Sequence, residues 1–294
     1  MRKQTYYKVG DHTFCISALD CVDIVTLLPS LQPFEQQDSS DSLFTLSLSE
    51  LPLLTLDGAT ELTRFEWEGA ECVINTTVNN QYEIIIYPHG DSALQRKMHI
   101  NKEMDYAKVE LLHNATDSFA LNNFLMMLYA FVTALHGTLM FHASVIRHCG
   151  QGYLFLGKSG TGKSTHSRLW LEHIEGAELL NDDNPIVRYF PDGRVTVYGS
   201  PWSGKTPCYR NESVPVGAFV RLHQAPENKI TRERPARAFA SLLPSCSCLR
   251  QNEEQYNHIC NTITAVASTI PVYDLECRPD EEAANLCFTT VTQG

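Results

Sequence analysis

The chain is expected to be an α+β protein, with an N-terminal β-rich domain over residues 1–115 and an α/β domain with a mixed sheet over residues 116–294. Three observations predict this. Residues 1–115 hold a succession of short β-branched and aromatic runs broken by turn residues. Residues 120–141 form one apolar stretch of helical length. From residue 139 onward, apolar strands alternate with a helix and further turn signals.

In order, "HTFCISAL", "LFTLSLSEL", "TRFEWEG", "ECVINTTV", "QYEIIIYP", "MHINKEM" and "AKVELLH" read as strands. The turns between them, such as "LDGA" and "VNNQ", are those of a hairpin-rich antiparallel sheet. Thr116 or Asp117 is placed to cap the apolar helix "ALNNFLMMLYAFVTALHGTLMF". "LMFHASVIRH" and "GYLFLGKS" then read as two strands, with a helix from Lys163 to about Ile174. "AELLNDD" is a short buried strand ending in two carboxylates, and "PIVRYFPDGRVTVYGSP" is a hairpin turning at Pro191-Asp192-Gly193. "GAFVRLHQ" follows as a strand, and residues 234–249 read as helix.

Composition narrows the partners. A formal net charge of −11 argues against nucleic acid or an anionic membrane surface, both of which need concentrated positive charge. The basic start has no apolar run behind it, and no stretch approaches the roughly 18 apolar residues of a membrane span, so the chain is expected in the cytoplasm. The ten cysteines show no disulfide-framework spacing, and free thiols are expected. Self-association is left open by the sequence.

The strongest motif is Gly157-Lys158-Ser159-Gly160-Thr161-Gly162-Lys163-Ser164, which fits G-x-x-x-x-G-K-[ST] between an apolar strand and a helix. Glycines let the backbone turn so that successive N–H groups face one concavity, and the helix N-terminus adds its positive dipole end. That arrangement binds polyphosphate. Lys163 is placed for the β- and γ-phosphates of ATP, and the Ser164 hydroxyl is the expected Mg²⁺ ligand. Thr165 closes the loop, and Lys158 adds a cation that either touches phosphate or stays in water.

Such a loop needs an acidic group at the tip of a neighbouring strand. Asp182 and Asp183 supply two, and strand alternation points them in different directions, one toward Mg²⁺ and one toward a proton. The same "NDDNP" is also good turn chemistry. His142, on the strand before the loop strand, falls near the same edge. Downstream, Trp202, Lys205 and Arg210 in "GSPWSGKTPCYR" offer an aromatic face and two cations for an acceptor or phosphate, or else form an exposed loop.

Taken together, "FHASVIRHCGQGYLFLGKSGTGKST" and "LLNDDN" resemble the HPr kinase/phosphorylase family, whose P-loop domain is shared with ATP-dependent phosphoenolpyruvate carboxykinase. The resemblance covers residues 138–190. It implies an HPr-kinase-like P-loop domain, with His142 and Lys163 in the catalytic site, Ser164 on the metal and Asp183 as proton acceptor. Asp182 then becomes the metal or orienting group. The family's downstream glycine-rich acidic segment has no counterpart here. Three readings follow: a protein or peptide serine kinase, a kinase or carboxykinase-like phosphotransferase acting on a small molecule, and a nucleotide-sensing module without turnover.

Overall fold

The computed structural model describes the chain except residues 38–40, 68, 89, 115, 205 and 294 and the side chain of Trp67. It divides into two compact units, Met1–Val132 and Thr133–Gly294. Each holds a mixed sheet with helices, so the chain is α+β.

In the first unit, β1 (Arg2–Val9) and β2 (His12–Leu19) form a hairpin, followed by a single-turn α1 (Ile24–Leu27). Strands β3 (Glu35–Gln36), β4 (Ser42–Ser49), β5 (Thr60–Trp67), β6 (Ala70–Thr76), β7 (Tyr82–Pro88), β8 (Arg96–Ile100) and β9 (Tyr106–Glu110) complete it. The order is β3-β1-β2-β4-β9-β8-β7-β6-β5. β4 runs parallel to both β2 and β9, so the sheet is mixed where turn chemistry alone predicts an antiparallel one. The connection through α1 carries the chain back to the starting edge, which a tight hairpin turn cannot do.

Helix α2 (Asp117–Ala134) packs on this sheet. Tyr129 donates its hydroxyl to the Val9 carbonyl at 2.9 Å and meets Phe14 edge-on. Buried Asp117 accepts from Arg96 Nε at 2.7 Å. These contacts move the boundary expected at 115/116 to the far end of the helix, because its apolar face belongs to the first sheet. No helix among the described residues is long and apolar enough to cross a membrane.

The second unit contains β10 (Thr138–Met140), β11 (Ala143–His148), β12 (Gln151–Leu156), α3 (Lys163–His173), β13 (Glu178–Asn181), β14 (Ile186–Tyr189) and β15 (Val195–Tyr198). They are followed by β16 (Ser213–Gln224), β17 (Lys229–Arg232), α4 (Pro235–Leu242), α5 (Glu253–Thr269), β18 (Val272–Cys277) and α6 (Glu281–Thr292). The helix read over residues 234–249 stops at Leu242 and tightens into a 3₁₀ turn at Leu243–Ser245, where Pro244 cannot continue the α-helical bonding. Strand order is β10-β14-β15-β16-β12-β11-β13, with β18 on β16 and β17 on β18. β16 pairs antiparallel with β15 at its start and parallel with β12 and β18 beyond it.

Helices cover both faces. Phe141, Leu154, Leu156, Phe219 and Val272 pack with α4 and α5 on one side. Tyr153, Phe155, Val220 and Leu275 pack with Trp170 of α3 and Cys287 of α6 on the other. Full burial of a side chain of this size contributes about 1.5–3 kcal/mol, so the frame behind the loop is rigid. All ten cysteines are free thiols.

Candidate functional site

The loop of residues 157–162 leaves the carboxyl end of β12 and enters α3. A Cβ at Gly157 would collide with Thr161 Oγ1, so the residue that leaves the strand must be glycine. Thr161 fastens the loop on itself, its backbone N–H at 3.2 Å and its hydroxyl at 2.7 Å from the Lys158 carbonyl. Lys158, Ser159, Gly160 and Ser164 are exposed, whereas Gly157, Thr161, Gly162, Lys163 and Thr165 are half-buried. Lys163 Nζ donates to the Gly157 carbonyl at 3.1 Å. Burial holds its ammonium below the ordinary lysine range, against the pull of the Asp183 and Asp182 carboxylates.

Strand direction brings the remaining groups to this edge. β11 is antiparallel to β12 with Ala143 opposite Leu156, so residue 142 stands beside the exit to the loop. β13 is antiparallel to β11, so its carboxyl end, which leads into Asp182 and Asp183, returns to the same edge. His142 lies at a bend between β10 and β11, not within a strand as its flanks predict, because its N–H is drawn to the Ser245 carbonyl at 2.7 Å. The bend places His142 Nδ1 3.1 Å from Asp183 Oδ1. An ionised carboxylate only accepts, so the ring nitrogen donates. Asp183 Oδ2 accepts from Asn184 Nδ2 at 2.7 Å.

The strand read as ending in the two carboxylates stops at Asn181, so Asp182 and Asp183 lie in a bend beyond it and strand alternation does not set their directions. Asp183 is half-buried and faces His142, whereas Asp182 is buried and its Oδ1 has no hydrogen-bond partner. A shielded carboxylate oxygen left unpaired fits a hard cation, and Ser164 offers a second oxygen at the start of α3. Among the described residues no cluster of three or more His, Cys, Asp or Glu side chains could hold a metal alone. Mg²⁺ takes one or two carboxylates plus phosphate oxygens and water, so this donor set suits it.

The downstream segment departs from expectation. Trp202 is only 3% exposed and offers no aromatic face to solvent. Its carbonyl accepts from the Asn184 N–H at 3.2 Å and from Asn181 Nδ2 at 3.3 Å, which draws the residue inward. Ser200 Oγ donates to the Asn184 carbonyl at 2.6 Å and accepts from the Trp202 N–H at 3.2 Å. At Gly204 an added Cβ would stand 3.1 Å from the Asp182 carbonyl and 3.3 Å from Asp183 Cβ, a tight approach that a side chain makes only if the aspartate turn gives by a few tenths of an ångström. Arg210 is drawn to Glu178 at 3.2 Å, at the opposite end of β13 from the aspartates, and does not join them. Lys205 lies outside the described residues.

Asn181, Asn184 and Ser200 are therefore site-building residues that motif reading missed. Their one sequence signal is asparagine on both sides of the acidic pair in "NDDN". Gln224, which donates to the Gly160 carbonyl at 3.1 Å from the end of β16, gave none.

No family model and no curated protein matches the chain. Among solved structures it is similar to the HPr(Ser) kinase/phosphatase from Coxiella burnetii, with 15% sequence identity and a TM-score of 0.27, over 52% of this chain and 88% of that one. A similarity of that size does not carry family membership.

Proposed function

We propose that the chain is an ATP- and Mg²⁺-dependent phosphotransferase that moves the γ-phosphoryl group to a hydroxyl acceptor, either a protein or peptide serine or a small molecule. One observation carries the reading: the Asp183–His142 pair, 3.1 Å apart, stands at the edge of the sheet from which the loop and Lys163 project. A loop that only held nucleotide would need no carboxylate oriented by a histidine beside its lysine.

In this reading Asp183 takes the proton of the acceptor hydroxyl as its oxygen bonds to the γ-phosphorus and the bond to the β–γ bridging oxygen breaks. His142 is a positioning residue that fixes the Asp183 carboxylate through Nδ1–H, and Asn184 holds the other oxygen. Lys163 neutralises charge on the transferring group; its ammonium, disfavoured by burial, regains a counter-charge when phosphate arrives. Asp182 and Ser164 would hold Mg²⁺, which supplies charge neutralisation at the β- and γ-phosphate oxygens.

The test is incubation with γ-labelled Mg-ATP and free serine, an HPr-like protein, oxaloacetate or whole lysate, with Lys163→Ala as control. Label that reaches protein or a small molecule only with the wild-type chain supports the reading and names the acceptor class. Tight Mg-ATP binding with no label transferred in any arm would make the chain a sensing module instead.

A further inference from the structure

A cleft of about 490 Å³ opens over β17, β18 and the start of α4, lined in part by Lys229, Glu233, Arg234, Arg237 and Asp274. Its volume falls within the range of small-molecule sites, and its lining, completed by Thr231, Arg232 and Glu276, is polar or charged throughout and mostly exposed. Its position follows from the register. Leu156, the last residue of β12, stands opposite Arg221 of β16, Arg221 opposite Asp274 of β18, and Asp274 opposite Thr231 of β17. Three strand spacings, roughly 14 Å, therefore separate the exit to the phosphate loop from the far side of the cleft. That is the reach of a nucleoside triphosphate from its phosphates to its base. Between them, Gln224 touches the loop at Gly160 and His223 Nε2 stands 2.9 Å from Asp274 Oδ1.

Direction follows from the other side of the site. Asp182 and Asp183 lie past β11, on the side of β12 away from β16. A triphosphate whose terminal phosphate faces Asp183 must trail its nucleoside over β16 and β18, toward the cleft.

The cleft's chemistry asks for a neutral donor. The Glu233 side chain is 2% exposed. Its Oε1 accepts from Ser241 Oγ at 2.9 Å and faces Arg237 Nε at 3.4 Å, but its Oε2 is shut from solvent with no partner. A buried acceptor left unpaired is costly, and a hydroxyl relieves it without bringing another cation among the arginines. Arg234 is exposed, with no ion pair among the described residues, and its planar guanidinium can lie against a base.

We propose that this cleft seats the nucleoside of ATP, with a ribose hydroxyl donating to Glu233 Oε2 and the base against Arg234. The assignment rests on residues 157–164 being the triphosphate site. Calorimetry with Mg²⁺ and three ligands (ATP, 2′,3′-dideoxy-ATP and inorganic tripolyphosphate) separates the two claims. Deleting the ribose hydroxyls, or substituting Glu233→Met, weakens binding about tenfold, and the two losses do not add. Arg234→Ala weakens ATP several-fold, and tripolyphosphate binds all the proteins alike. Wild-type chain that binds ATP no more tightly than tripolyphosphate overturns the cleft assignment and leaves the loop reading intact. If Glu233→Met weakens tripolyphosphate as well, the exposed Arg234→Ala variant decides, and unchanged ATP affinity in it overturns the assignment. Failure of the wild type to bind either ligand overturns both claims.

Discussion

Two glycine-bearing segments border the Asp182–Asp183 turn, and they are held in opposite ways. Residues 157–164 sit on the surface and are fastened mainly to themselves, through Thr161 and Lys163. Residues 199–202 are drawn into the frame, where Ser200 is fully buried and Trp202 nearly so, both hydrogen-bonded to the residues that flank the aspartates. A loop that receives phosphate must keep backbone open to its ligand, whereas a segment that aims carboxylates must be immobile. In the proposed function the first is the segment that binds ligand at the surface, and the second is the one that positions the carboxylates from the core.

Substitutions can break that contrast. Trp202→Ala has the largest expected effect, a loss of about 3–5 kcal/mol in urea unfolding, the cost of emptying a buried aromatic site. An unchanged midpoint together with altered acceptor use would restore Trp202 to a surface role. The frame beneath the phosphate loop has its own pH signature. His166 is buried, accepts from Trp170 Nε1 at 3.2 Å, and burial pushes its pKa down to about 4. The unfolded chain then binds a proton that the folded chain refuses, so stability is full above about pH 6.5 and is lost as pH falls toward 4, by about 3 kcal/mol in all. His166→Gln flattens that slope in a pH series of unfolding curves. An equally steep loss in the variant would place the acid sensitivity elsewhere.

Ser200→Ala follows, with a loss of about 1–3 kcal/mol because Asn184 and Trp202 lose their shared partner. Transfer falls in this variant while ATP affinity holds, which separates aiming of the carboxylates from binding of phosphate. Arg210→Ala is the smallest: its exposed ion pair with Glu178 makes a change below about 1 kcal/mol, with turnover unaffected. A large loss of turnover would return Arg210 to the site.

What could be read in advance follows the same division. The strand–loop–helix placement of residues 157–164 was legible because its signal is local: glycines, a lysine and a serine at fixed spacing between an apolar strand and a helix. Strand order put His142 near the edge of the acidic pair, but its direct approach to Asp183 was not legible, since a bend fixed by Ser245, far along the chain, completes it. Trp202 was misread because a tryptophan in a Gly-Ser-Pro turn has no local pattern to say which way it faces; Asn181 and Asn184 decide that through the tertiary fold. The unit boundary fell beyond residue 115 because the apolar helix could have covered either sheet, and Tyr129 and Asp117 tie it to the first.

The central claim is that Asp183 performs proton transfer beside a loop that binds phosphate independently of it. Asp183→Asn, measured for Mg-ATP affinity and for γ-phosphoryl transfer in one preparation, tests it most directly. The expected result is ATP affinity within about twofold of wild type and transfer lowered by more than about 10²-fold, the lower scale of general-base catalysis. Transfer at the wild-type rate in a variant that still binds ATP would contradict it.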